Sequence, residues 1–283
     1  MGKDSSGISF TAFYTGEVWR RHGLSAAFLS QPQGKALYLA GRPFELASKL
    51  VFGTNNEILL LQRHRILDHL LEKAIREEGV TQVVEIACGL SPRGTLMMQR
   101  FAEKGLVYLE ADLPGMAARK RALLAQAGVS DHRHRVIDLD ILKQGVEESL
   151  ESVFARELDP ARKTVVITEG LINYFDYQTI HGFWTRLAQA LKPLPLGIYL
   201  TDLYPNFRWH PGVRLANAFK GGLAVATRSR VTLHFESEKA VLAGFGDAGF
   251  RSTRVHLPES WYGVLDIPVS RIPSMVRVVE SRA

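Results

Sequence analysis

The stretch "TQVVEIACGLSPRG", residues 81–94, decides how the rest of the chain is read. Val83, Val84 and Ile86 make a short apolar run of strand length, Gly89 opens a turn, and "GTLMMQRFAEKG" continues as a helix. A strand that enters a helix through a glycine turn is the first unit of a parallel α/β sheet. Ligands of such sheets bind beyond the carboxyl ends of the strands. The turn does not have the G-x-G-x-x-G spacing that lets backbone N–H groups approach a pyrophosphate. It sets Gly89 and Gly94 around Ser91, Pro92 and Arg93, and Pro92 has no N–H to offer. A nucleoside ligand without a pyrophosphate suits it better than a nicotinamide dinucleotide, and S-adenosylmethionine is such a ligand.

Outward from that turn the same rhythm repeats. Upstream, "EILLLQRHRILDHLLEKAIREEG" from residue 57 carries Leu59, Ile66, Leu67, Leu70, Leu71, Ala74 and Ile75 at helical spacing, and Gly79 stops it. Downstream, "LVYLEAD", "RVIDLDI", "TVVITEG" and "LGIYLTDLY" read as strands. Between them lie helices in "PGMAARKRALLAQAG", around 146–158, and in "DYQTIHGFWTRLAQALK". The rhythm breaks after Tyr204. Residues 205–231 are too long for an ordinary connection and are expected to form a lid or substrate wall. A helix in "SEKAVLAGFGDAGF" and strands in "RSTRVHLPE" and "SMVRVVESR" follow. Residues 1–56 lack the β/α rhythm and are expected to cap a domain spanning 57–283, the two forming one structural unit.

Composition narrows the class. The 283 residues, 46% of them hydrophobic, suffice for one large domain. No run of about 18 apolar residues occurs, and "MGKDSSGISF" has no secretory core, so a soluble cytoplasmic protein without a membrane partner is expected. "MGKDSS" matches an N-myristoylation pattern through Gly2 and Ser6, a pattern short enough to be common by chance. The single cysteine, Cys88, excludes an internal disulfide and reads as a small turn residue, not a nucleophile. The formal charge of +6 is spread along the chain, so no nucleic-acid surface is expected. No metal site is expected either.

Three charged residues stand where such a ligand would need them. Glu85, near the end of an apolar strand, needs a partner if buried, and a ligand ammonium would serve. Asp112 ends the next strand, where an acid can accept both ribose hydroxyls. Arg63 shares a helix face with Leu59, Ile66, Leu67 and Leu70 and could hold a carboxylate through two hydrogen bonds. Each has a plainer alternative: a partly solvated strand end for Glu85, a cap of the following helix for Asp112, and a snorkelling side chain for Arg63.

Taken together, "QRHRILDHLL", "VVEIACGLSPRG", "YLEADLPGMAARKR", "VIDL", "ITEGLINYF", "LAQALKP" and "YLTDLY" resemble the class I S-adenosylmethionine-dependent methyltransferases. Within them the chain is similar to the leucine carboxyl methyltransferase-like family, which includes polyketide O-methyltransferases. The resemblance spans roughly residues 10–280. It implies a Rossmann-like α/β fold, a mostly parallel seven-stranded sheet with helices on both faces, a helical cap and a lid. It also implies S-adenosyl-L-methionine as cofactor, S-adenosyl-L-homocysteine as product, and a small, anionic acceptor methylated on a carboxylate.

Site residues follow from the resemblance. Arg63, with Arg65 as a rival, matches the arginine that holds the cofactor carboxylate. Ala87, Cys88 and Gly89 pass under the methionine moiety, beside Glu85. Asp112 matches the ribose ligand, and Asp138 with Leu139 the adenine pocket. Glu169 matches the acid near the transferred methyl, and Tyr174 is expected to orient the acceptor. The chain departs from the family at Ala87 and Ser91, where a glycine and an acid are commoner. It also offers Thr11, Tyr14 or Thr15 where the family has a lysine. In "PNFRWH", Phe207, Arg208, Trp209 and His210 could contact the acceptor. A phenol or alcohol acceptor would want a base, for which His181, His210, His234 and His256 are not ranked. An NAD-dependent oxidoreductase and a non-catalytic cofactor-binding protein on the same fold are the competing classes.

Overall fold

A computed structural model describes residues 6–129, 131–207 and 232–283, with side chains from Thr11 onward. Two helices come first, α1 (Ser6–Arg21) and α2 (Pro32–Phe52), followed by α3 (Asn56–Glu77). Gly53, at φ 67°, ends α2 in the left-handed region, where a side chain would be strained. Asn55 then starts α3 by accepting from the Ile58 amide at 2.9 Å.

The alternating part runs β1 (Gln82–Ile86), α4 (Arg93–Arg100), β2 (Val107–Asp112), α5 (Pro114–Gln126), β3 (His134–Asp138), α6 (Leu150–Glu157), β4 (Thr164–Thr168), α7 (Tyr177–Leu191) and β5 (Gly197–Leu203). After the segment at 208–231 come α8 (Glu238–Asp247), β6 (Ser252–His256) and β7 (Arg277–Arg282). The helix expected over 94–105 ends sooner, at Arg100, and a 3-10 turn over Ala102–Lys104 completes it. The strand expected over 135–141 stops at Asp138; the Leu139 amide makes the last ladder bond, to the Asp112 carbonyl, and the chain turns at Ile141 and Leu142.

The seven strands lie in the order β3-β2-β1-β4-β5-β7-β6, with β7 antiparallel to both neighbours and the others parallel. This is the Rossmann-like class I methyltransferase architecture. Every residue of β1, β4 and β5 is buried, as expected of strands covered on both faces. Val84, Val166 and Tyr199 pack against Phe183, Trp184 and Phe245 on one face. Val83, Val165 and Ile198 pack against Ile66, Leu67 and Leu71 of α3 on the other. Adjacent strand residues point to opposite faces, so "QVVEI" supplies both cores.

Strand order reverses at β1, which lies between β2 and β4. The register sets Ile86 beside both Ala111 and Thr168, and Asp112 beside Asp138. The expected ligand residues thus emerge together at one end of the sheet. Among the described residues no helix is long and apolar enough to cross a membrane.

Candidate active site

The turn after β1 is tied to the end of β2. Ala87 and Gly89 both take positive φ, 55° and 48°. The Gly89 amide donates to Oδ2 of Asp112 at 2.7 Å, and the Leu113 amide donates to Oδ1 at 2.8 Å. Asp112 therefore shapes the turn while keeping lone pairs for a ligand. It serves neither as a free strand end nor as the side-chain cap of α5, whose N-cap is Leu113. Burial raises its pKa, and the two backbone donors oppose that rise. A Cβ on Gly89 would stand 3.3 Å from Cβ of Ala12, so α1 lies directly over the turn. A Cβ on Gly94 would overlap the Glu110 carboxylate, which explains the second glycine. Lys120 supports the turn from below, donating to the Ser91 carbonyl at 2.9 Å and pairing with Glu110 at 2.8 Å. Cys88 is buried within it, and burial pushes its thiol well above the ordinary range, consistent with a packing role.

Beside the turn lies a buried ionic cluster. Arg93, fully buried, donates to Asp68 and Glu85 at 2.5 Å each and to Glu169 at 2.6 Å. Tyr108 donates to the other oxygen of Glu85 at 2.8 Å. Glu85 is 1% exposed, so it is not a solvated strand end, and its charge is answered within the chain by Arg93 and Tyr108. Arg63 donates to Glu169 at 3.0 Å and to Asp202 at 3.1 Å, and its guanidinium also meets the Tyr204 hydroxyl. It is 7% exposed and does not snorkel. Nδ1 of His64 lies 2.9 Å from both Oε2 of Glu169 and Nη2 of Arg93. With a hydrogen on Nδ1 it donates to Glu169; without one it accepts from Arg93. Burial works to raise the Glu169 carboxyl, but His64, Arg93 and Arg63 outweigh it and hold it well below the usual carboxylate range. Burial raises Asp202, with Arg63 opposing.

At the end of β3, where the resemblance puts the adenine, Leu139 is buried and its amide donates to the Asp112 carbonyl at 2.9 Å, while Asp138 is half-exposed and accepts from Arg121 at 2.8 Å. Tyr174, in the 3-10 turn after β4, shares a 2.8 Å hydrogen bond with Thr11 of α1. Tyr14 instead faces α2, donating to Glu45 at 3.0 Å. Arg65 pairs with Asp266, away from the cluster. His256 pairs with Glu280 on the antiparallel edge, and His234 lies 3.4 Å from the Ile172 carbonyl. Arg208, Trp209 and His210 lie outside the described residues. Phe207 is buried, with the Arg277 guanidinium 5.2 Å from its ring centroid.

Arg93, read from the sequence only as a residue of the turn, and four further members of this site escape a sequence reading. His64 sits in "QRHR" beside Arg63, Asp68 one turn later, Asp202 at the end of β5 and Asn173 inside "GLINYF". The Asn173 carboxamide clamps both stems of the expected lid. It donates to the Tyr204 carbonyl at 3.0 Å and the Thr232 carbonyl at 2.7 Å, and accepts from the Tyr204 amide at 2.9 Å. Its own carbonyl accepts from the Thr232 amide at 2.7 Å. A helical stripe or an acid at a strand end could have flagged His64 and Asp202. Nothing local marks Asn173.

The model of the leucine carboxyl methyltransferase family matches residues 28–187, more than half of the chain, from the start of α2 into the last turns of α7. The chain belongs to the leucine carboxyl methyltransferase family. No curated protein matches it. Among solved structures, a candidate methyltransferase from Thermobifida fusca YX is 15% identical with a TM-score of 0.62, over 96% of this chain and 93% of that one. A DUF574 family protein from Streptomyces avermitilis MA-4680 is 12% identical with a TM-score of 0.61, over 96% of each chain. An O-methyltransferase family protein from Burkholderia thailandensis is 16% identical with a TM-score of 0.52, over 80% of this chain. The chain spans 57% of that protein's length. At these identities the neighbours establish the fold.

The cofactor of leucine carboxyl methyltransferases is S-adenosylmethionine, and the residues present fit it. An acid at the end of β2 beside a buried Leu139 and Asp138 suits a ribose and an adenine. In the cluster, Asp68, Glu85, Glu169 and Asp202 stand against two guanidiniums, Arg63 and Arg93, with the His64 ring beside Asp68 and Glu169, so with the acids ionised negative charge is in surplus even when His64 is counted as a cation. S-adenosylmethionine, with its sulfonium and ammonium against one carboxylate, carries net positive charge. A second anionic group, as in a dinucleotide pyrophosphate, would be repelled there.

Proposed function

We propose that this protein is an O-methyltransferase that converts a carboxylate of a small anionic molecule into its methyl ester, in the cytoplasm and without a nucleic-acid partner. The observation that carries the reading is the bridge from Gly89 to Asp112, which sets a ribose-binding acid beside an anionic cluster at the point where strand order reverses. When bound, the cofactor supplies an electrophilic methyl; the carboxylate oxygen gains the O–C bond as the S–C bond breaks.

The chain's residues position and shield that exchange. Asp112 holds the ribose, Asp138 and Leu139 frame the adenine, and Arg63 meets the cofactor carboxylate. Glu169, kept ionised by its three cationic and imidazole partners, offers its negative charge to the sulfonium side. Glu85 contributes through Arg93, and Ala87 and Gly89 shape the path beneath the methionine moiety. Helix α1 covers the turn and excludes water, and Tyr174 with Thr11 borders the acceptor side. Thr15 and Tyr14 lie on the same helix, Tyr14 turned toward α2. On chemistry alone, Arg208 and His210 would pair with the acceptor anion and Trp209 would form an apolar wall. A carboxylate is ionised near neutral pH and needs no general base.

Calorimetric titration with S-adenosylhomocysteine, run beside NADH and beside Asp112→Ala, tests the cofactor. Binding of the homocysteine ligand that weakens by roughly tenfold to a hundredfold in the variant is expected, the scale of one or two hydrogen bonds to a charged group. Binding of NADH in its place refutes the reading. Labelled methyl transfer to a library of carboxylic acids, giving a base-labile product, tests the acceptor; a base-stable product indicates a phenol or alcohol.

A further inference from the structure

Helix α2 has an exposed apolar face that the site does not use. Leu39 is 62% exposed, Phe44 68%, Leu46 47%, Leu50 79% and Val51 72%. The other exposed large apolar side chains, such as Leu142, Leu242 and Val264, stand singly. Leu39, Leu46 and Leu50 fall on one side at helical spacing, with Ala36, Pro43 and Ala47 between them. All of these are exposed. A contiguous patch of this kind marks a binding surface.

The charges bordering the patch say what it binds. Lys35, Arg42 and Lys49, spaced seven apart, run along one flank and are exposed. Lys35 and Lys49 form no ion pair with the described residues, while Arg42 shares its charge with Tyr38 and Glu57. The helix has one acid, Glu45, which is buried and bonded to Tyr14 and the Asn56 amide. The exposed surface of α2 is therefore apolar and cationic with no anion. A second copy docking by twofold symmetry would bring like charges to a common seam with no acid to answer them. A flat anionic surface answers both features at once.

We propose that α2 adsorbs to the surface of an anionic lipid bilayer, its leucine face among the acyl chains and its lysines among the headgroups. This departs from the expectation of no membrane partner: among the described residues no helix is long and apolar enough to cross a bilayer, and α2 would lie on the interface. The contact would lay the cap against the lipid, since α2 packs on α1 and α1 covers the Gly89 turn. Resting on the proposed function, an acceptor whose carboxylate is carried on an apolar body held in the membrane would then reach the site without leaving the interface.

Cosedimentation of the full chain with phosphatidylcholine vesicles, with and without a quarter phosphatidylglycerol, tests this. Binding to the anionic vesicles that weakens with salt is expected. Leu46→Glu/Leu50→Glu should abolish it, and Lys35→Glu/Lys49→Glu should weaken it at least tenfold, at about one headgroup interaction per lysine. Both variants should keep the wild-type melting temperature and S-adenosylhomocysteine affinity, which shows that the fold and the cofactor site are intact. Absence of vesicle binding overturns the proposal, as does binding that both variants retain. A wild-type dimer by light scattering that Leu46→Glu/Leu50→Glu turns into a monomer assigns the face to a second copy and overturns it equally.

Discussion

Nη2 of Arg93 lies 2.6 Å from Oε2 of Glu169, so the arginine that follows the first glycine turn is fastened to the acid after β4. Because the same guanidinium also holds Glu85 and Asp68, one side chain joins β1, the helix before it and the end of β4.

Arg93→Met should therefore destabilise the fold by about 3–5 kcal/mol, because it leaves Glu85 buried without a cation and removes one of the two guanidiniums on Glu169. Urea unfolding of the variant measures this. Arg93→Met with Glu85→Gln should recover part of the loss, and an unchanged double variant would show that the charge of Glu85 is not the source.

Ala87 occupies the left-handed region at φ 55°, where a Cβ costs about 1–2 kcal/mol. Ala87→Gly should relieve that strain and raise the melting temperature by a few degrees, after the added flexibility of the unfolded glycine is offset. Ala87→Val should lower it. A differential scan of the three proteins decides the sign.

Acid should weaken the fold through Glu169. Its carboxyl is held well below the ordinary glutamate value, so the folded chain binds fewer protons than the unfolded chain once pH drops under about 4.3. The stabilisation is complete above that pH and is lost as pH falls toward the folded value. Asp202, raised by burial, acts in the opposite sense and at higher pH. Urea midpoints from pH 6 downward should fall steeply for the wild type and less steeply for Glu169→Gln.

Asn173→Ala removes three side-chain hydrogen bonds that hold the two stems of the 208–231 segment. Hydrogen exchange at the Tyr204 amide, which donates to that carboxamide, should accelerate at least tenfold, while β1 amides at Val83 and Val84 stay protected. Equal acceleration in both places would mean global loosening.

From residue 57 onward the elements and their order could be read from the chain. Apolar periodicity and stops such as Gly79 and Gly89 act over a few residues, so a strand, turn or helix is legible where it stands, whereas helices α1 and α2 were not. Asp112 could be flagged because strand ends converge in any parallel sheet, and Glu169 through the resemblance of "ITEGLINYF" to the family. What the charges do depends on partners distant in the chain. Arg93 meets Asp68, Glu85 and Glu169 from three elements, and Asn173 joins Tyr204 to Thr232. Glu85 looked like a ligand for want of a visible partner, because the partner is chosen by how the turn folds back onto the strand. The exposed face of α2 was hidden for the same reason: an apolar helix reads alike whether it meets a core, a second chain or a membrane, until its neighbours in space are known.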